Sequence, residues 1–364
     1  MGKLDVEIDA VFADMDKPQH PGAALLVVDR GEIICRKCYG LADLEADRPI
    51  TTDTSFYLAS ISKQFTAIAI MLLVNDGRLS YQDRLSTFFP QLPAWGAEIS
   101  IRNLLHHTAG LPNYLEFLNS SGRTPEWTGD VLSVTNEAVL EWITRLPTPD
   151  FPVGSRFTYS NTGYVLLAMI VATVSGQSFA AFLKANVFDP LRMRHTVVYD
   201  ATRPTLYRLA HGYLNEHGLF KRWDYPLLTA GDGGLFSTLD DLLLWDQALN
   251  AELLLPRAAL LQSFTSGASN DGTSVGYGFG WITNVFPYCS AAEREQLLAL
   301  GVDFRHVAHG GSLGAYCNYI IRFLDAQRTI IVLSNDKGLS PRIRAHQVAK
   351  IVFSNSTKAG VEPG

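Results

Sequence analysis

Residues 56–67 read FYLASISKQFTA, and the pair Ser60 and Lys63 within them organises the reading of the whole chain. The adjoining apolar run, 65–74, with a stop signal at Gly77, predicts one long helix over 60–76. Ser60 and Lys63 stand three apart at its start, so they share one face a turn apart. Helix onset adds backbone N–H groups and a positive dipole end at the serine. A hydroxyl is a weak nucleophile at neutral pH, and a neighbouring unprotonated amine activates it. Burial against residues such as Phe65, or nearby cations, would lower the Lys63 pKa towards that role. Ser62 points elsewhere on the helix. Taken alone, the four-residue pattern is common and fits an N-capping serine beside a solvated lysine at least as well.

Outward from this helix, strands are expected at both chain ends and helices between them. An amphipathic helix (Leu4, Ile8, Val11, Phe12) ends before Pro18, and strands over 23–28 and 33–39 flank the hairpin signal Asp29-Arg30-Gly31-Glu32. Helices are expected over 101–108, 135–145, 162–175, 178–187 and 240–249. Strands come next over 277–283, 315–323 and 329–333, with a closing helix over 341–353. The pattern predicts an α/β (α+β) fold: an antiparallel sheet from both chain ends, flanked by helices, with a mainly helical lobe inserted. One catalytic unit over 1–364 is expected, with an α/β lobe of about 1–55 and 250–364 and a helical lobe of about 56–249.

Composition narrows the chemistry without naming it. The chain has 364 residues, 47% hydrophobic and 18% charged, enough to bury a large core and too ordered in pattern for a disordered chain or a fibre. A net charge of −6 with no basic block argues against a nucleic-acid partner. The longest apolar runs, 65–74 and 164–174, are about half the ~20 residues a membrane span needs. With no leader-like segment at its start, the chain as it stands reads as cytoplasmic, or as periplasmic or secreted if a signal peptide was removed ahead of it. Cys35 and Cys38 fall three apart in a strand, on opposite faces, so a shared metal or a disulfide is not expected. The nine histidines show no metal spacing, and no metal or cofactor is expected.

Two further clusters could do chemistry. In Pro152-Val153-Gly154-Ser155-Arg156-Phe157-Thr158-Tyr159-Ser160-Asn161, an extended backbone would point Tyr159 and Asn161 the same way, a phenol for proton transfer and an amide for a carbonyl. Asn161 also reads as the cap of the next helix, and Tyr159 as packing against it. In His309-Gly310-Gly311-Ser312, glycines let substrate approach a strand edge, and the Ser312 N–H is free to donate to an oxyanion. An ordinary glycine turn fits these residues as well. Gly310 to Gly314 also match G-x-S-x-G, with Ser312 as nucleophile, but that elbow needs a helix behind it. The next ten residues, AYCNYIIRFL, are strand-like, so the elbow is rejected.

Together these elements resemble the serine β-lactamase and penicillin-binding-protein superfamily. More closely they resemble its class C-like branch of β-lactamase-related hydrolases, family VIII carboxylesterases, D-aminopeptidases and DD-peptidases. S-x-x-K, Y-x-N and H-x-G occur in that order, and FYLASISKQFTA, IRNLLHHTAGLP, PVGSRFTYSNTGY, GGLFSTLDDLLLW, YGFGW and HGGSLGAY all look like that branch. The resemblance implies a β-lactamase/transpeptidase-like fold and a catalytic set of Ser60, Lys63 and Tyr159. Ser60 is the nucleophile, and Lys63 and Tyr159 share proton transfer. It further implies an oxyanion hole from the N–H groups of Ser60 and Ser312, with Asn161, His309 and Gly311 lining the substrate. His309 stands where typical β-lactamases carry lysine. An imidazole with a reference pKa of about 6.5 is mostly neutral at pH 7, which favours substrates without a demanding anionic end. The expected activity is acyl-enzyme hydrolysis of small esters, with weak β-lactam hydrolysis allowed. A D-amino-acid peptidase, amidase or DD-peptidase is the alternative, and a non-catalytic penicillin-binding module comes last. Expected partners are a small ester, β-lactam or short peptide, and the chain itself as monomer or homodimer. Aromatics of the 112–135 and 200–232 loops (Tyr114, Phe117, Trp127, Tyr207, Tyr213, Trp223) are candidates to line the cleft, or packing residues.

Overall fold

Two β-branched, apolar runs from opposite ends of the chain pair with each other. In the computed structural model, which describes residues 2–119, 133–224, 227–284, 289–301 and 305–359, strand β1 (Ala23–Asp29) lies antiparallel to β5 (Arg328–Ser334), in register from Ala23↔Ser334 to Asp29↔Arg328. With β2 (Glu32–Tyr39), β3 (His306–Leu313) and β4 (Tyr316–Phe323) they form a five-stranded antiparallel sheet of order β3-β4-β5-β1-β2. Every residue of β4 and β5 is buried. Continuous apolar strands of that kind need cover on both faces. Helix α1 (Lys3–Val11) packs on the C-terminal helix Pro341–Ala359, which lies across β4 and β5, and the helix Leu239–Ala251 packs on β1 and β5. That last helix is pinned by a buried ion pair: Arg322 on β4 donates to Asp246 at 2.8 Å, and Thr329 on β5 donates to the same oxygen at 2.7 Å. Removing one partner would strand the other charge in the core, at a cost of about 3–5 kcal/mol.

The expected α/β fold of antiparallel sheet and helices is what the chain adopts. Between the two ends of the sheet run helices, among them α2 (Lys63–Asn75) and α3 (Asn161–Ser175), which pack on each other. A small three-stranded sheet joins Phe56–Tyr57, Leu235–Ser237 and Val197–Val198. It carries the chain directly into the Ser60 turn. Among the described residues no single helix is long and apolar enough to cross a membrane. Cys35 and Cys38 are free thiols.

Three local expectations are corrected. Residues 277–283 form no strand, only isolated bridges from Tyr277 to Ile282 and from Ile282 to Ala308. Gly278 approaches the Ser263 carbonyl too closely for any Cβ, and Gly280 sits at φ 74°, so the backbone doubles back there. The helix expected over 101–108 stops at Leu105, and His107 takes a left-handed φ of 57°. His309 to Ser312 do not precede a strand but are part of one, β3, at the open edge of the sheet.

Candidate active site

Ser60 lies in a 3₁₀ turn, Ala59–Ser62, that runs straight into α2. Ala59 enters it at φ 47°, a conformation that costs a non-glycine residue energy and persists only where its surroundings enforce it. Here the enforcement is visible. The Leu58 N–H donates to Leu235 at 2.8 Å, and the Leu235 N–H donates to Ser62 Oγ at 3.2 Å. The tight turn presents Ser60 half-buried at a cleft of about 430 Å³. Its backbone N–H is at the start of the turn, where no intrahelical acceptor exists.

One turn on, Lys63 is fully buried. Its Nζ lies 2.7 Å from Asn161 Oδ1, 2.7 Å from the Asp232 carbonyl oxygen and 3.1 Å from Ser60 Oγ. Burial drives its pKa down to about 7, against the opposing pull of the Asp232 carboxylate. At and above that pH the neutral amine has two N–H donors and one lone pair. Two of its three neighbours are pure acceptors, so they take both hydrogens. The lone pair is left for the Ser60 O–H. The arrangement can therefore withdraw a proton from Ser60.

The polar groups behind Lys63 are ordered in turn. Asn113 Oδ1 accepts from both the backbone and the side-chain nitrogen of Asn161, at 3.3 and 3.1 Å, which aims Asn161 Oδ1 at the lysine. Asp232 Oδ2 accepts from Tyr114 at 2.7 Å, while Oδ1 is buried with no hydrogen-bond partner among the described residues. Burial raises the Asp232 pKa and Lys63 opposes that rise. Tyr159 turns its ring to the lysine, 4.9 Å from centroid to Nζ, and lines the cleft beside Ser60. His107 tilts against that ring at 4.4 Å, its Nδ1 accepting from the Ser160 N–H. Burial, with Lys63 and His309 as neighbours, holds its pKa well below the ordinary value.

Across the cleft runs β3. Ala308 exchanges both backbone hydrogen bonds with Ile282 on the outer edge, so Gly310 and Ser312, two and four residues on, also direct their N–H groups outward. The Ser312 N–H therefore faces the open edge that carries the cleft. Gly311 faces the Ser60 turn so closely that a Cβ would stand 2.0 Å from the Leu58 oxygen. Asn318 ties the two together, donating to Tyr57 O at 2.9 Å and to Gly311 O at 3.3 Å. His309 is buried, and its two ring nitrogens are both engaged: Nδ1 is 2.6 Å from the Gly310 carbonyl and Nε2 2.9 Å from the Tyr277 hydroxyl. A carbonyl only accepts, so Nδ1 carries the proton and Nε2 accepts from Tyr277. Burial lowers the His309 pKa to about 3, with the Lys63 charge next in effect. His309 itself therefore carries no charge at neutral pH.

All the residues singled out from sequence, Ser60, Lys63, Tyr159, Asn161, His309, Gly311 and Ser312, come together around this one cleft. The route differs for Asn161, which is the first residue of α3 with Ser160 as its cap, so the alternation argument that paired it with Tyr159 does not hold. Gly311 is required by the close approach of β3 to the Ser60 turn as well as by the cleft it lines. Sequence reasoning missed His107, Asn113, Asp232, Tyr277 and Asn318; all five sit in, or within two residues of, stretches already noted, HHTAGLP, GGLFST, YGFGW and HGGSLGAY. Of the loop aromatics, Tyr114 and Tyr213 are buried away from the cleft, Phe117 packs on Trp142 and Tyr207 stacks on His195. Trp127 lies outside the described residues.

The family model described as Beta-lactamase matches residues 8–353. The chain is 30% identical to penicillin-binding protein 4* of Bacillus subtilis (strain 168) over 90% of its own length and 71% of that protein's. It is 24% identical to the D-aminopeptidase of Cereibacter sphaeroides, over 99% of this chain and 66% of that one. Among solved structures, the octameric penicillin-binding protein homologue from Pyrococcus abyssi superposes with a TM-score of 0.79 at 27% identity, covering 97% of this chain and 77% of that one. The chain thus spans about two thirds of the length of these curated relatives. It belongs to the Beta-lactamase family of serine β-lactamases and penicillin-binding proteins.

Proposed function

We propose that the protein hydrolyses small esters through an acyl-enzyme on Ser60. The observation that carries this reading is the Lys63 environment, where two acceptors fix the amine's hydrogens and leave its lone pair to the serine. In the reaction, the Ser60 O–H proton passes to Lys63 as Oγ attacks the carbonyl carbon. The oxygen that gains charge is received by the N–H groups of Ser60 and Ser312. Lys63 and Tyr159 return a proton to the leaving oxygen, Asn161 and Gly311 flank the acyl group, and water releases the acid by the same path. The uncharged His309 wall favours esters over substrates that need a cation at that position. Weak β-lactam hydrolysis is allowed by the same chemistry. The second reading, a D-amino-acid peptidase or amidase, is supported by the D-aminopeptidase likeness. We read the chain as one catalytic unit, because Ser60 and Ser312 meet in one cleft from distant parts of it, and as a monomer or homodimer, although the Pyrococcus abyssi relative is octameric.

A panel of p-nitrophenyl butyrate, nitrocefin and D-alanyl p-nitroanilide at one enzyme concentration tests this. The ester is expected to turn over fastest, with a burst of p-nitrophenol, and Ser60→Ala to lose about 10⁴-fold or more. Retained activity in Ser60→Ala, with loss in Ser312→Ala, would overturn the assignment.

A further inference from the structure

Among the described residues two cations stand beside the cleft outside the catalytic cluster, and they differ in one respect. Arg342 lines the cleft, but its guanidinium already faces Glu293 at 3.8 Å and Cys289 Sγ at 3.0 Å. Lys337, just past the end of β5, has no such partner: among the described residues no carboxylate lies within ion-pair distance of its ammonium. Its Nζ is 3.4 Å from the Ser312 hydroxyl, which lines the cleft, and 5.8 Å from the Trp223 ring, 41% exposed. The backbone is held in place, since the Lys337 N–H donates to Tyr213 at 3.0 Å. The adjacent Asp336 is buried and turned to the Gly338 N–H at 2.8 Å. An ammonium beside an exposed hydroxyl and an aromatic face is suited to a carboxylate at the end of an apolar chain.

Position along β3 says which part of the substrate would carry that carboxylate. Tyr159, which serves the leaving oxygen, lies at the His309 end, 6.3 Å between rings. Lys337 lies at the Ser312 end, past the proposed oxyanion donor, where the acyl chain would run. We propose that Lys337, with the Ser312 hydroxyl and the Trp223 face, is a subsite for a carboxylate on the acyl portion, and that the preferred substrates are monoesters of dicarboxylic acids. This rests on the acyl-enzyme reading above and adds the substrate class to it.

The test compares mono-p-nitrophenyl adipate with p-nitrophenyl hexanoate, matched in length and differing in the terminal charge. Wild-type protein should prefer the adipate, and the preference should shrink as salt is raised. Lys337→Ala should cut the adipate-to-hexanoate ratio of kcat/KM by about tenfold, through KM, with hexanoate within about twofold. Lys337→Arg should keep the preference and Lys337→Glu should reverse it. Equal losses on both esters, or a ratio that follows Arg342→Ala instead of Lys337→Ala, would overturn the subsite. Binding is read independently of turnover. Adipate monomethyl ester should raise the Tm of Ser60→Ala protein but not of the Ser60→Ala/Lys337→Ala double variant. If neither ester turns over but this Tm shift appears, the acyl-enzyme reading fails and the subsite stands; if the shift is absent, the subsite fails.

Discussion

Lys63 and His309 are both buried, both border the same cleft, and both are driven towards their neutral forms by loss of water, to about 7 and about 3. The consequences are opposite. Neutral Lys63 faces two acceptors and a hydroxyl, so its lone pair meets the one proton worth moving. Neutral His309 has given its N–H to the Gly310 carbonyl and its lone pair to the Tyr277 hydroxyl. Burial alone therefore does not make a base. What decides is whether the neighbours leave the neutral form an unspent valence pointed at the substrate.

Replacing Lys63 with arginine is the strongest way to break that contrast. A guanidinium keeps its charge at any working pH, so it cannot accept the Ser60 proton. Ester turnover should fall on the order of 10³-fold. The wild-type pH profile carries the same prediction. Below the Lys63 pKa the ammonium has no lone pair, so kcat/KM should climb about tenfold per pH unit towards pH 7 and then level off. His309, neutral throughout that range, should add no inflection. A flat profile between pH 5 and 8 would remove Lys63 as the base.

Gly311→Ala strikes the other wall without touching a titrating group. The new methyl would meet the Leu58 oxygen at 2.0 Å, so β3 must move away from the Ser60 turn. A shift of that kind misplaces the Ser312 N–H and should cost about 10²-fold in kcat. Overpacking should also lower stability by about 1–3 kcal/mol, measurable by urea unfolding. Unchanged kcat in a destabilised protein would mean that the spacing of the two walls is not what positions the oxyanion.

These two walls were not equally legible in the sequence. The sheet could be read because β1 and β5 are apolar on both faces, and Ser60 with Lys63 because their spacing needs only a helix. Asn161 was found for the wrong local reason, as an extended partner of Tyr159, while it opens α3. Asp232 and Asn113 were missed because their roles depend on contacts between distant segments: Lys63 reaches the Asp232 carbonyl, an atom every residue possesses. Asn318 was invisible for the same reason, pairing with Gly311 only once β3 and β4 fold together. The neutral state of His309 was expected from its reference pKa, but the cause is burial and two fixed hydrogen bonds.

The smallest effect should come from Tyr277→Phe, and its size sharpens the comparison most. The substitution removes the hydroxyl that donates to His309 Nε2 at 2.9 Å and keeps the ring that packs against His107 and Tyr159. A buried nitrogen lone pair then loses its partner, which should lower stability by about 1–3 kcal/mol. Turnover of a neutral ester should change only severalfold, because His309 handles no proton in the proposed reaction. Should kcat instead fall as steeply as in Lys63→Arg, the imidazole would have to take part in proton transfer, and His309 would be more than a neutral lining residue. Stability and kcat measured on one preparation separate these outcomes, since a structural role moves the first and a proton-handling role moves the second.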